Sequence, residues 1–293
     1  MAAESNTTPM PIKSRSGFIS TIKLILGDPM GAIGLTLVLA FFVVSIFASQ
    51  LAPMNPNKID VRAKLQAPSA MHLLGTDQLG RDNLSRVVHG SQIALKVSMI
   101  SIVLAVLIGT AMGLVAGYSS KLVDSIFLLF FDTIRSYPTI MFALAVVALF
   151  GPSLNTIIGI VVVTSIPTYG RIVRTLTLSL RNAEYVEAER AMGSSVLRIL
   201  TLHILPNVIG PVLIVASMEV PLVITLEAGL SYLGLGVRPP TPSWGSILFD
   251  GYSFFRNTPW IMIAAGTPLI LATIGFTFLG ETLRDKLDPK LRK

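Results

Sequence analysis

The chain has 293 residues, 52% of them hydrophobic and 13% charged, with a mean hydropathy of +0.71 and a formal net charge of +7. That balance is too apolar for a soluble domain and describes a chain dissolved mostly in lipid. Cysteine is absent, which excludes a disulfide framework, a thiolate metal site and a thiol nucleophile. The basic residues sit beside apolar segments, where they set orientation, so the positive charge does not indicate nucleic acid.

A helix crosses a bilayer with about 20 apolar residues. Six segments meet that need, approximately 31–52, 93–118, 122–150, 154–173, 208–234 and 259–280, and strand-period alternation is absent. The expectation is an all-α polytopic bundle of six transmembrane helices and not a barrel. The bundle occupies 31–283 between a tail at 1–30, whose polar stretch Met1–Ser16 reads as disordered, and a tail at 284–293.

The first span begins too late, and is too long, for a signal peptide, and it lacks a small-x-small cleavage site, so it reads as retained. In the loop that follows, a turn at Gly75 to Arg81 should lead to an interfacial helix started by Asp82. Arg81 and Arg86 would be satisfied there by Asp77, Asp82 or lipid phosphates. The second span carries Gly109, Gly113 and Gly117 at four-residue intervals, the pattern that lets two helix backbones approach, inside the subunit or against a partner. Spans three to six each contain a proline, namely Pro138, Pro167, Pro221 and Pro268. Each removes a backbone donor and kinks its helix, as a static packing feature or as the mark of flexing helices that line a pathway.

Ionisable residues at membrane depth are costly and count as functional candidates. Asp124, Asp132 and Arg135 fall in the third span, where Asp132 is expected to pair with Arg135 one turn on. Glu219 and Glu227 have no basic neighbour in sequence, and either line a wet cavity or relay protons. The chain lacks GxSxG, HExxH and GxxxxGK[ST], and His72, His89 and His203 lack ligand spacing. No catalytic residue, metal site or bound cofactor is therefore assigned, and energy for uphill transport must come from an ion gradient or another subunit.

Between spans four and five lies a polar, helix-prone inset, Glu184 to Asn207. Fourteen Lys and Arg flank the spans on the side that carries it, against eight on the other, which places the inset and both termini in the cytoplasm. Tyr185, Ala188, Ala191 and Met192 share one helix face, Gly193 suits a left-handed residue after the helix end, and Ser194 or Ser195 can cap a second helix. That second helix places Val196, Leu197, Leu200 and Ile204 on one side, and Pro206 is expected to end it. Such a pair lies on lipid headgroups or fits a protein groove, and its small residues favour the groove. Farther on, Pro239, Pro240, Pro242 and Trp244 read as a rigid external turn with an aromatic interface anchor.

The run from Glu187 to Pro206 resembles the EAA loop of bacterial binding-protein-dependent ABC importer permeases, with the pattern E-A-A, three residues, G, nine residues, I-x-L-P. Glu187, Ala188, Gly193, Leu205 and Pro206 match, while Glu189 replaces the second alanine and His203 the isoleucine. The segments HLLGTDQLGRDNLSR (His72 to Arg86, with Gly75, Asp77, Gly80, Arg81, Asp82 and Arg86) and EAGLSYLGLGVRPPTPSWG (Glu227 to Gly245) resemble the peptide and nickel branch, as does the tail from Gly280. Within it they are similar to the dipeptide and oligopeptide permease C-type subunit.

The resemblance implies a multi-pass subunit of the bacterial cytoplasmic membrane that imports di- or oligopeptides. It implies a second homologous permease subunit, two cytoplasmic ATPases that hold ATP and Mg, and an external solute-binding protein. The ATPases would grip Glu187, Ala188, Ala191, Met192, Gly193, Leu205 and Pro206, and the segment from Gly75 to Arg86 would lie near the binding-protein side. Pro138, Pro167, Glu219, Pro221 and Glu227 are the pathway candidates. Import of nickel or another small solute on the same fold is the alternative, followed by an ion-coupled secondary transporter and, more distantly, a membrane enzyme.

Overall fold

The computed structural model of the protein describes residues 18–287. The stretch Met1–Ser16 and the end of the tail at 284–293 lie outside the described residues. Among the described residues every regular element is a helix, apart from one isolated bridge between Thr76 and Asp82.

Helix α1 (Phe18–Leu26) leads into α2 (Pro29–Ile46), whose start is dictated by Asp28 and Pro29. The Asp28 carboxylate accepts from the amides of Met30 at 3.0 Å and Gly31 at 3.2 Å, and Pro29 fills the first turn, where a missing N–H costs nothing. A short α3 (Ala48–Leu51) and a long excursion follow, and then α4 (Asn83–Tyr118), a single helix of 36 residues. Asp82 does start it, accepting from the Ser85 amide at 2.8 Å. The interfacial helix expected there is therefore not a separate element but the first turns of the second span. Gly90 does not break it, because a Cβ at that position would stand 2.8 Å from the Trp244 ring, so the backbone is held by packing.

The third apolar segment is broken. Helices α5 (Lys121–Arg135) and α6 (Thr139–Phe150) meet at 89°, with Pro138 as the residue before α6. Pro138 pushes Tyr137 out of the helical region, and the Ser136 amide and hydroxyl close the α5 carbonyls of Asp132 and Thr133. Pro167, by contrast, sits inside an unbroken α7 (Leu154–Leu180).

The inset forms α8 (Glu184–Ala191) and α9 (Val196–Arg198), and α9 runs through a π-helical segment, Ile199–Ile204, into α10 (Leu205–Tyr232). Pro206 does not end the second helix as expected. The Leu205 amide reaches back to the Leu200 carbonyl, and this wider turn relieves the clash of the Pro206 ring with the carbonyl four residues earlier. A further helix, α11 (Trp244–Ser253), precedes α12 (Trp260–Leu287). Among the described residues, five helical stretches are long and apolar enough to cross a membrane, or six with the bent α5–α6 pair as one span.

Because the long helices alternate in direction, the molecule has two ends. One carries Asp28, Ser119–Ser120, α8 and Lys286; the other carries the excursion before α4 and the segment from Leu233 to Pro259. Helix α4 packs along α7, α2 along α12, and α10 against both α12 and α4. The glycine ladder accounts for the first pairing: a Cβ at Gly109 would lie 2.7 Å from that of Tyr169, and one at Gly113 2.6 Å from the Gly170 carbonyl oxygen. The close approach is thus inside the subunit, on α7. Without a hydrophobic drive between helices in lipid, such backbone proximity is a main source of association.

Candidate functional site

The α8–α9 turn protrudes at its end of the bundle. Val186, 0% exposed, and Ile199, 1% exposed, fasten it from below. Above them Tyr185, Ala188, Ala191, Met192, Val196 and Leu197 all face outward, with Met192 72% and Leu197 71% exposed. Glu187 and Pro206 are exposed too, and Leu205 is half-buried. Gly193 joins the two helices at φ +82°, and a Cβ there would meet nothing within 4 Å. The amides of Gly193 and Ser194 bond the carbonyls of Arg190 and Glu189, each at 3.0 Å, closing the α8 carbonyls. Arg190 ties α8 to the end of α4: its guanidinium lies 5.8 Å from the Tyr118 ring centroid and donates to the Tyr118 hydroxyl at 3.3 Å.

A second polar group lies at mid-span, opposite the α5–α6 break. Arg135 Nη1 donates to Thr168 Oγ1 at 3.1 Å. The carboxyl of Glu219, on α10, faces Tyr169, Ser165 and Thr168 on α7. Glu219 therefore lies beside the stretch of α7 that contains Pro167 and near Arg135, one turn before the break at Pro138, with Pro221 buried two residues beyond. Glu227 is elsewhere: it is 1% exposed and accepts from the Ser231 hydroxyl at 2.7 Å, enclosed by its own chain.

The expected pairing of Asp132 with Arg135 is not made. Asp132 accepts from Arg171, and Asp124 accepts from Arg174, whose Nη2 reaches it at 2.6 Å. Because α5 lies along α7, both carboxylates find arginines on the neighbouring helix, which leaves Arg135 free to turn toward Thr168.

At the opposite end the segment from Gly75 to Arg86 folds into a buried charged network. Asp77, 0% exposed, holds Arg81 Nε at 2.5 Å and lies 3.5 Å from Arg86 Nε. Asp250, on α11, completes it, with Arg81 Nη2 at 3.6 Å and Arg86 Nη2 at 3.7 Å. Burial pushes the Asp250 carboxyl above its ordinary range, against the opposing pull of Gln78, Arg86 and Arg81. Asp82 turns instead to His72, 3.0 Å away, and to Ser85. Asp250 was missed by sequence because it lies on another element far along the chain, and no local spacing signals it. Trp244 is 2% exposed and donates to the Val87 carbonyl at 2.9 Å. It is a core residue locking α11 onto α4, and the interface anchor expected of it is corrected accordingly.

A cleft of about 430 Å³ opens beside this network, lined by Arg81, Arg86, Tyr232, Arg238 and Asp250 among others. No cluster of potential metal ligands occurs among the described residues.

Comparison with known proteins bears on these features. Residues 109–293 match the family described as binding-protein-dependent transport system inner membrane component. The dipeptide transport system permease protein DppC of Alkalihalophilus pseudofirmus is 36% identical over 265 residues, 90% of this chain and 87% of that protein. The glutathione transport system permease protein GsiD of Pectobacterium atrosepticum is 37% identical over 256 residues, 87% of this chain and 85% of that one. Among solved structures, an inward-facing form of the MetNI methionine ABC transporter superposes with a TM-score of 0.56 at 18% identity, over 67% of this chain and 93% of that one, which shows the shared fold.

Proposed function

The chain belongs to the family of binding-protein-dependent transport system inner membrane components, and from that premise we propose that it is a membrane-spanning permease subunit of an ATP-driven importer of di- or oligopeptides. The peptide class follows the relatives named for dipeptide and glutathione transport, glutathione being itself a peptide. A permease of this family works with ATPase and substrate-binding partners. In our reading ATP and its metal are handled by two ATPase subunits, a homologous permease completes the pathway, and a solute-binding protein delivers the peptide on the outer face.

The observation that carries the docking assignment is the α8–α9 turn. Its apolar side chains point away from the bundle, while Val186 and Ile199 fasten it from below. A loop that served only to connect α7 to α10 would bury these side chains or replace them with polar ones. The motif residues Glu187, Ala188, Ala191, Met192 and Gly193 lie on or beside that outward face, so an ATPase groove could receive them as an amphipathic helix. In our reading α8 and both termini are cytoplasmic and the network at Asp77 and Asp250 lies outside. The half-buried Glu219, beside the break at Pro138, then lies where a pathway shared with the second permease would run.

Co-expression with ATPase and permease subunits of a peptide importer and affinity capture of the tagged chain tests the assignment. The intact protein should bring down ATPase subunits, and Met192→Glu should lose them while remaining in the membrane. Capture of equal ATPase by the two would refute the docking surface.

A further inference from the structure

The two positions at which the Glu187–Pro206 segment departs from its pattern touch each other. Glu189 Oε1 lies 3.4 Å from His203 Nε2, across the corner between α8 and the π-helical segment. The pair is semi-buried, with side-chain exposures of 19% for Glu189 and 27% for His203. The other carboxylate oxygen accepts from the Ser194 hydroxyl, so the side chain is held from both sides. His203 Nε2 is buried and makes no hydrogen bond among the described residues, so its approach to Glu189 is a contact at ion-pair distance. Where the pattern has a small alanine and a large isoleucine, this chain thus sets an acid and an imidazole against each other.

Mechanics gives the pair a purpose. Helix α8 is joined to α9 through Gly193, whose backbone is left-handed and whose surroundings are empty. Gly is the residue that moves most freely about such a position, so beyond its two capping hydrogen bonds the corner backbone adds little stiffness. A force applied to α8 reaches α10 undiminished only if something else fixes the angle between them. Val186, Ile199 and Ile204 supply an apolar floor beneath the corner. The Glu189–His203 contact is the polar tie that spans it.

We propose that Glu189 and His203 are positioning residues which brace α8 against the start of α10, so that movement of a docked ATPase is passed into the membrane helix and not lost at Gly193. This deepens the docking assignment above and rests on it. The brace touches neither nucleotide nor substrate, and its effect should appear in the coupling between ATP hydrolysis and import rather than in assembly.

The test uses the assembled transporter in lipid, with Glu189→Ala, His203→Ile and the double variant that restores the apolar pair. Because the chain has no cysteine, nitroxides can be placed cleanly at Glu184→Cys on α8 and Leu213→Cys on α10, both exposed positions. The distance distribution between them should broaden in each single variant and narrow again in the double. Peptide imported per ATP hydrolysed should fall by at least about twofold in each single variant, within the range of a semi-exposed ion pair, and recover in the double. Unchanged distributions in the single variants, a double no narrower than the singles, or broadened distributions with unchanged import per ATP would each overturn the proposal. Failure of the docking assignment itself is distinguishable: ATP-driven import would then survive Gly193→Arg, whatever the nitroxides report.

Discussion

The two ends of this molecule use the same backbone device for opposite purposes. Gly80 and Gly193 both adopt a left-handed conformation, at φ +75° and +82°. At Gly80 a Cβ would stand 1.7 Å from the Asp60 carbonyl oxygen, inside a network where Asp77, Arg81, Arg86 and Asp250 compensate one another. At Gly193 a Cβ would meet nothing, and the side chains on either side point outward. One end is finished by its own chain, and the other is left open. A tight turn alone therefore says little about function; what surrounds it decides whether the turn serves stability or docking.

The contrast can be broken most forcefully at the finished end. Asp77→Asn leaves Arg81 and Arg86 with one carboxylate between them in a buried site, and should cost about 3–5 kcal/mol, read as a loss of thermal stability in lipid nanodiscs. A cost below about 1 kcal/mol would mean that the network is solvated and the two ends are alike. A sharper comparison exchanges the two glycines in turn. Gly80→Ala adds a backbone clash to left-handed strain and should cost about 3 kcal/mol or more, whereas Gly193→Ala meets strain alone, about 1 kcal/mol. Equal losses of melting temperature would erase the distinction drawn between the turns.

The smallest effect is expected at Asp28, on the end that carries α8. The Gly31 amide, then that of Met30 and the Lys286 ammonium, holds its carboxyl below the ordinary value of 3.8. A depressed carboxyl stabilises the fold above its ordinary value and loses that contribution as pH falls through the folded one. Asp28→Asn should therefore lower the melting temperature slightly at neutral pH, by an amount that begins to shrink as pH falls below about 4 and is gone once pH is below the folded value. A difference that persists or grows in acid would contradict the capping role.

Much of the bundle was legible because its signals are local. Apolar length marked the crossings, Gly109 to Gly117 marked a close helix pairing, and the outward face of α8 followed from the spacing of Tyr185, Ala188, Ala191 and Met192. What escaped depends on partners distant in sequence. Asp132 pairs with Arg171 on a neighbouring helix and not with Arg135 beside it, and Asp250 joins Asp77 across most of the chain. Trp244 looked like an interface anchor because aromatic residues next to prolines so often are, but Gly90 provides a seat for its ring. Prolines divided by context as well: Pro138 breaks its helix by 89°, while Pro167 and Pro206 sit in helices that continue, the latter through a π turn. The meeting of Glu189 with His203 was likewise invisible until the corner at Gly193 was folded.

The central claim is that force enters this chain at the exposed end, from ATP. Peptide uptake into proteoliposomes holding the assembled transporter tests it most directly. Uptake should require ATP on the α8 side, continue without a proton gradient, and disappear in Gly193→Arg while the protein stays folded and in the membrane. Uptake that persists without ATP, runs on a proton gradient and is lost in Glu219→Gln would contradict the account and identify an ion-coupled carrier instead.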